Sequence, residues 1–216
     1  MPSKYVVRNF EENGYYHIFN RGVEKRTIFL DEQDYRMFLY YLFIYLMPIK
    51  TVLRKYPLLP IRLYNKNLSS EIDLITYCLM PNHFHLLLSQ KTDNGITKLM
   101  KQLTNAYTLY FNQKYKRVGG LMQGRFKAVR IETDDSLIHI SRYIHLNPIV
   151  SEITDNLETY KWSSYYDYTS KNTEVLSKPE IVLTAFKSVN EYKQFLLDQM
   201  DYGRELERIK HLTLDN

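Results

Sequence analysis

The strongest constraint on this chain is the stretch from Glu71 to Gln90, where two β-like runs flank a two-residue break at Pro81-Asn82. So short a break leaves one economical reading, an antiparallel hairpin with strands Glu71 to Met80 and His83 to Gln90. Side chains alternate along a strand, so His83 and His85 share one face while Phe84 and Leu86 point into the opposite layer. Two imidazoles about 7 Å apart on a strand face are half of a metal site. Taken alone, the pair is better served by a satisfied surface histidine beside a chance neighbour.

The hairpin sits at the centre of an irregular alternation of strands and helices. Tyr15 to Asn20 reads as a first strand, followed by a turn at Arg21-Gly22. Asp31 to Met47 reads as a helix with acidic residues in its first turn and Pro48 closing it. Pro48 to Ser70, with Pro57 and Pro60, reads as a long connection. A second helix runs from about Gly95 to Lys116, with Leu99, Leu103, Ala106, Tyr107 and Tyr110 at the 3.6-residue period. Gly119-Gly120 breaks it, and Leu121 to Glu132 reads as another strand. A third helix starts at Thr133-Asp134-Asp135 and is expected to stop before Pro148. The sum is an α+β fold, a central antiparallel sheet with helices packed on it. Residues 1–170 form the main domain. Residues 171–216, with a helical region from Ile181 to Met200, form a small C-terminal appendage that packs on it or extends from it.

Composition narrows the functional classes. A chain of 216 residues buries a sizeable core as one domain. A lone cysteine, Cys78, excludes an internal disulfide framework and fits a reducing compartment. The first residues lack the apolar core of a signal peptide, and the run Met37 to Met47 is too short for a membrane span. The expectation is a cytoplasmic protein without a membrane partner. From Lys98 to Arg130 the cations Lys98, Lys101, Lys114, Lys116, Arg117, Arg125, Lys127 and Arg130 meet no Asp or Glu. Tyr107, Tyr110, Phe111, Tyr115 and Phe126 are interleaved with them, a pattern suited to phosphate neutralisation and base stacking. The chain holds 20 tyrosines, so no tyrosine is singled out by its type.

The third helix adds a second polar feature. His139, Tyr143 and Asn147 lie four apart and share a face. Amide oxygens and imidazoles together suit magnesium- or manganese-like cations, so Asn147 can complete a site begun by His83 and His85. Tyr143 would then lie beside a metal-held phosphate, where a phenol with an ordinary pKa near 10 needs that charge to act as a nucleophile. Spacing alone leaves Tyr143 equally a packing tyrosine and Asn147 equally a cap before Pro148.

Four blocks taken in order resolve more. Tyr16-His17-Ile18-Phe19-Asn20-Arg21-Gly22, Met80-Pro81-Asn82-His83-Phe84-His85, Gln123-Gly124-Arg125-Phe126-Lys127 and Tyr143-Ile144-His145-Leu146-Asn147-Pro148 closely resemble the HUH-type single-tyrosine transposases. The branch is that of the REP-associated tyrosine transposases, also called IS200-like, and the likeness spans about residues 15–168, including Trp162-Ser163-Ser164-Tyr165.

The resemblance implies a ferredoxin-like sandwich with the histidine strand at its centre. It implies His83, His85 and Asn147 as ligands of Mg2+ or Mn2+, and Tyr143 as the nucleophile. The implied chemistry is cleavage and rejoining of single-stranded DNA through a 5′-phosphotyrosine link at hairpin-forming ends, by a monomer in preference to a homodimer. Arg125, Lys127, Gln123, Arg21 and Arg130 are candidate DNA contacts, Arg125 first among them. His139 could take the phenolic proton, or be a helix-surface histidine. His145 is read as packing or touching DNA, and His17 as core packing before any support of a metal site. The rival readings are a replication-initiator-type nickase of the same class and a non-catalytic single-strand binder working by stacking. The second leaves His83, His85, Tyr143 and Asn147 without a purpose.

Overall fold

The computed structural model describes residues 9–170 and 175–198. In chain order the elements are β1 (Gly14–Arg21), α1 (Glu32–Leu46), α2 (Ile49–Lys55), α3 (Ile61–Tyr64), β2 (Ile72–Met80) and β3 (His83–Gln90). They continue with α4 (Gly95–Lys114), β4 (Lys127–Ile131), α5 (Asp134–Val150), α6 (Tyr165–Thr169), α7 (Glu180–Leu183) and α8 (Val189–Leu197). The strands form one sheet in the order β2-β3-β1-β4, with every neighbouring pair antiparallel. This is the expected ferredoxin-like arrangement, with the predicted hairpin intact and Met80 paired to His83 across the turn.

Both faces of the sheet are covered. Phe84, Leu86 and Leu88 of β3 join Tyr16, Ile18 and Leu79 in a core closed by Phe38 and Leu42 of α1 and Leu99, Leu103 and Tyr107 of α4. Leu87, with Ile75, Cys78 and Met80 of β2, faces the other way onto Leu137 and Ile144 of α5. Tyr165, Tyr168, Val182, Tyr192 and Leu196 complete that second core, so α6, α7 and α8 pack onto the same face as α5. A two-sided burden explains why β2 and β3 read as nearly unbroken apolar runs rather than alternating ones. The outer edge of β2 is occupied by the Trp162–Ser164 segment: Leu79 N donates to Trp162 O at 2.9 Å, and Ser164 N to Tyr77 O at 2.9 Å. That pairing removes the edge as a template for foreign strands.

Four local expectations need correction. The connection from Pro48 to Ser70 contains α2 and α3, because Pro48 and Pro60 stand as the N-caps of these helices and start them instead of breaking one. The expected strand Leu121 to Glu132 is regular only over β4; before it, Gly124 takes a left-handed φ of 68° and the chain forms a loop with one bridge, Gly22 to Met122. The third helix does not stop before Pro148 but runs to Val150, since a proline in the last turn forfeits only one helical hydrogen bond. The expected Ile181 to Met200 region is two helices, α8 being started by Ser188, whose side chain accepts from Glu191 N. Residues 171–174 and 199–216 of the expected appendage lie outside the described residues, as do residues 1–8. Among the described residues no helix is long and apolar enough to cross a membrane.

Candidate functional site

The site starts at the hairpin turn, which is held from outside the sheet. Pro81 O accepts from Ile28 N at 2.8 Å and Phe29 N at 3.1 Å, and Asn82 O accepts from Gly22 N at 2.9 Å. The Asn82 side chain donates to Lys25 O at 3.2 Å. The loop after β1 thus clamps the first residues of β3 in place. His83 and His85 emerge on the α5 face with their rings perpendicular, centroids 4.9 Å apart.

Hydrogen bonds set the free nitrogen on each ring. His83 Nδ1 lies 2.6 Å from Asn82 Oδ1. An amide oxygen only accepts, so Nδ1 carries the proton and Nε2 keeps its lone pair. His85 Nδ1 lies 2.9 Å from His17 Nε2, on the neighbouring strand β1. His85 Nε2 is buried without a hydrogen-bond partner. A buried polar atom without a partner is costly, and here it faces a cavity that a cation can enter. Burial lowers the His83 pKa to about 4, helped by the Arg21 charge and opposed by the Asn147 side chain, which favours the charged ring. Burial likewise lowers His17 to about 4 and His85 well below the usual imidazole value, His17 and His83 adding to the effect on His85. All three rings are therefore neutral near pH 7, the form that ligates metals.

Helix α5 supplies the other wall. Asn147 spends its amide nitrogen on Tyr143 O at 3.0 Å, which leaves the oxygen as what it offers to the cavity. Tyr143 is 46% exposed, yet its ring stands edge-on to His85 (centroids 5.6 Å) and to His17 (5.9 Å). His83, His85, Tyr143 and Asn147 thus line one cavity of about 680 Å³, together with Phe19, Arg21, Gln123 and Lys127. Among the described residues no group of three His, Cys, Asp or Glu side chains is placed to hold a metal. The donors present are two imidazoles and an amide oxygen, a set that fits a magnesium- or manganese-like cation with positions left for phosphate oxygens and water.

The remaining candidates divide sharply. Arg21, Gln123 and Lys127 line the site, Lys127 reaching over the Phe19 ring. Arg125 instead lines a separate cleft of about 430 Å³ between α4 and the 120–126 loop, with Lys101 and Asn105. Arg130 alternates onto the face opposite the histidines and pairs with Glu11. His139, although one turn before Tyr143, bonds Arg142 at 2.6 Å, approaches Asp135 at 3.6 Å and is not among the lining residues of the cavity. His145 is fully buried, one ring nitrogen 2.8 Å from the Tyr192 hydroxyl and the other 2.8 Å from Ser164 Oγ, so its role is packing and not DNA contact.

The basic tract from Lys98 to Arg130 also resolves into parts. Tyr107 and Phe111 are core residues of α4, so their spacing reflects burial and not base stacking. Lys114 binds both Asp31 and Asp34, and Tyr110 and Tyr115 donate to Asp34. The sequence puts His17 in core packing before any support of a metal site and gives Phe19 no role of its own; the structure buries His17 against His85 and sets the Phe19 ring 5.8 Å from that of His85. Their strand parity was visible, but the pairing of β1 with β3 was not.

A four-stranded antiparallel sheet that presents a histidine pair to a tyrosine on the covering helix is the arrangement expected of single-tyrosine transposases. Comparison with known proteins agrees: residues 61–147 match the family described as Transposase IS200 like, a span that holds His83, His85, Tyr143 and Asn147. That match bears out the resemblance read from the sequence and supports a transposase role. Among solved structures, the chain is similar to a REP-associated tyrosine transposase bound to a REP hairpin, with 16% identity and a TM-score of 0.52. The likeness covers 80% of this chain and 88% of that one, and at this identity it bears on the fold alone. A looser likeness, to the tRNA(His) guanylyltransferase of Saccharomyces cerevisiae, has 10% identity and a TM-score of 0.38 over 89% of this chain and 80% of that one, too low to inform the fold. No curated protein matches the chain.

Proposed function

We propose that this protein cleaves and rejoins single-stranded DNA by transesterification, with Tyr143 as the nucleophile. The observation that carries the reading is the convergence of Tyr143 with the buried, partnerless His85 Nε2, the His83 ring and the Asn147 amide in one cavity. His83, His85 and Asn147 would hold Mg2+ or Mn2+, which supplies positive charge against the phosphate and lowers the cost of phenolate attack. The phenolic oxygen of Tyr143 forms a bond to phosphorus as the bond to the 3′ oxygen breaks. The phenolic proton leaves to water and the departing 3′ oxygen takes one up, giving a 5′-phosphotyrosine and a free 3′-hydroxyl. Reversal with another 3′-hydroxyl rejoins strands, and the covalent link conserves the bond energy so that no nucleotide cofactor is required.

The chain's own residues fit the remaining tasks. Arg21 and Lys127 neutralise backbone phosphates beside the site, and Phe19 offers a ring face to a base. His139, tied to Arg142 and Asp135, is a poor candidate for the proton acceptor, and the half-exposed Tyr143 loses its proton directly to solvent. The substrate class is DNA with a hairpin, a reading supported by the REP hairpin bound to the structural relative.

The test is a denaturing gel after incubation with labelled hairpin oligonucleotides in Mn2+ or Mg2+. A metal-dependent covalent adduct is expected, lost in both Tyr143→Phe and His83→Ala. An adduct that survives Tyr143→Phe refutes the assignment. Tight, metal-independent binding without an adduct favours the non-catalytic binder.

A further inference from the structure

His17 does more than fill space beneath the site. It belongs to β1, which lies beside β3 in the sheet, and it is diagonal to His85: the pairing sets His17 opposite Leu87 and Phe19 opposite His85. The two imidazoles are stacked with centroids 5.1 Å apart and planes 22° from parallel, and the His17 Nε2 to His85 Nδ1 distance is 2.9 Å. The same His17 ring meets Tyr143 edge-on at 75°, so one side chain touches both a candidate ligand and the candidate nucleophile. It is 6% exposed and held against Phe19 at 5.0 Å.

We infer that His17 is a positioning residue that accepts the Nδ1 proton of His85 and thereby leaves the His85 Nε2 lone pair aimed into the cavity. This rests on the proposed function in treating His85 as a metal ligand. The alternative, His17 donating to His85 Nδ1, would leave a proton on His85 Nε2, a buried donor with nothing to receive it. The first arrangement leaves that nitrogen as a bare acceptor, the form in which an imidazole ligates a cation. Partners of this kind, which take the second ring proton of a ligating histidine, usually contribute 10- to 100-fold in metal affinity.

The experiment measures Mn2+ affinity by calorimetry for the full chain, His17→Leu, His17→Gln and His85→Ala, with the His85 tautomer of the metal-free protein read by nitrogen-15 NMR. Leucine fills the site without accepting a hydrogen bond, whereas the glutamine oxygen can accept one. We expect a protonated His85 Nδ1, roughly 10- to 100-fold weaker binding for His17→Leu, and substantial recovery in His17→Gln. A purely structural role would make both variants equally weak, and that result overturns the inference. It is also overturned if His17→Leu binds as tightly as the unaltered protein while His85→Ala loses binding, which leaves the metal site standing without His17. If His17→Leu fails to fold, the tautomer decides: a proton on His85 Nδ1 supports the inference, one on Nε2 overturns it. If His85→Ala binds Mn2+ undiminished, the proposed metal site itself fails and the role of His17 falls with it.

Discussion

Lys127 offers a direct reading of where the nucleic acid runs. It opens β4, is exposed on the histidine face, and no carboxylate pairs with it among the described ion pairs. Its counterpart Arg130, three residues on, projects to the other face and is already bound to Glu11. Replacing either with Gln lowers the formal net charge by the same unit, from +5 to +4, so any effect of overall charge is common to both. If Lys127 neutralises one phosphate of a single-stranded segment, its loss removes roughly 0.7 from the slope of log affinity against log salt. Across a fourfold rise in salt that corresponds to a drop in affinity roughly 2.6-fold smaller than in the unaltered protein. The assay is fluorescence anisotropy with a labelled hairpin oligonucleotide carrying a single-stranded flank, in a Tyr143→Phe background so that no covalent product accumulates. Lys127→Gln should bind more weakly at low salt and with the shallower slope, while Arg130→Gln should keep the parent slope. An unchanged slope in Lys127→Gln, or an equal change in both variants, would refute the placement of the strand along the histidine face.

Three further outcomes follow from local packing. A methyl group at Gly22 would collide with Arg26 O and lie 2.8 Å from Ile28, in the loop that clamps the hairpin turn; Gly22→Ala should cost about 1–3 kcal/mol in urea unfolding and weaken Mn2+ binding together with it. Lys114 bonds the fully buried Asp34 at 2.8 Å, so Lys114→Met should destabilise the fold by about 3–5 kcal/mol, whereas an effect below ~1 kcal/mol would mean that the Tyr110 and Tyr115 hydroxyls and the Leu30 and Asp31 backbone N–H groups satisfy that carboxylate without the lysine. The Cys78 thiol is fully buried, and burial pushes its pKa far above the ordinary thiol range. It should therefore resist alkylation near pH 8 until the protein is unfolded, and rapid labelling of the native chain, followed by mass spectrometry, would contradict the packing of the second core.

Much of the site was legible from short-range rules. The break at Pro81-Asn82 fixed the hairpin, and alternation along β3 fixed the common face of His83 and His85. The four-residue spacing on α5 likewise put Tyr143 and Asn147 together, and the ordered blocks joined the two pairs. Errors arose where a local signal has two meanings. A proline can end a helix or start one, as Pro48 and Pro60 do, and an aromatic among cations can stack on a base or fill a core, as Tyr107 and Phe111 do. The sorting of cations was also hidden, since Lys127 and Arg130 look alike until the strand pairing assigns them opposite faces.

The sequence by itself determined the central hairpin, the main helices, their phases and the chemical donors, because the periods of strand and helix follow from the covalent geometry of the backbone within a few residues. Only the tertiary structure decided that β1 lies between β3 and β4, and with that the contact of His17 with His85, the inclusion of Phe19 and the separation of Arg125 from the cavity. Strand order and register depend on which apolar faces can be buried together across the whole chain, a choice made by long-range packing against α1, α4 and α5.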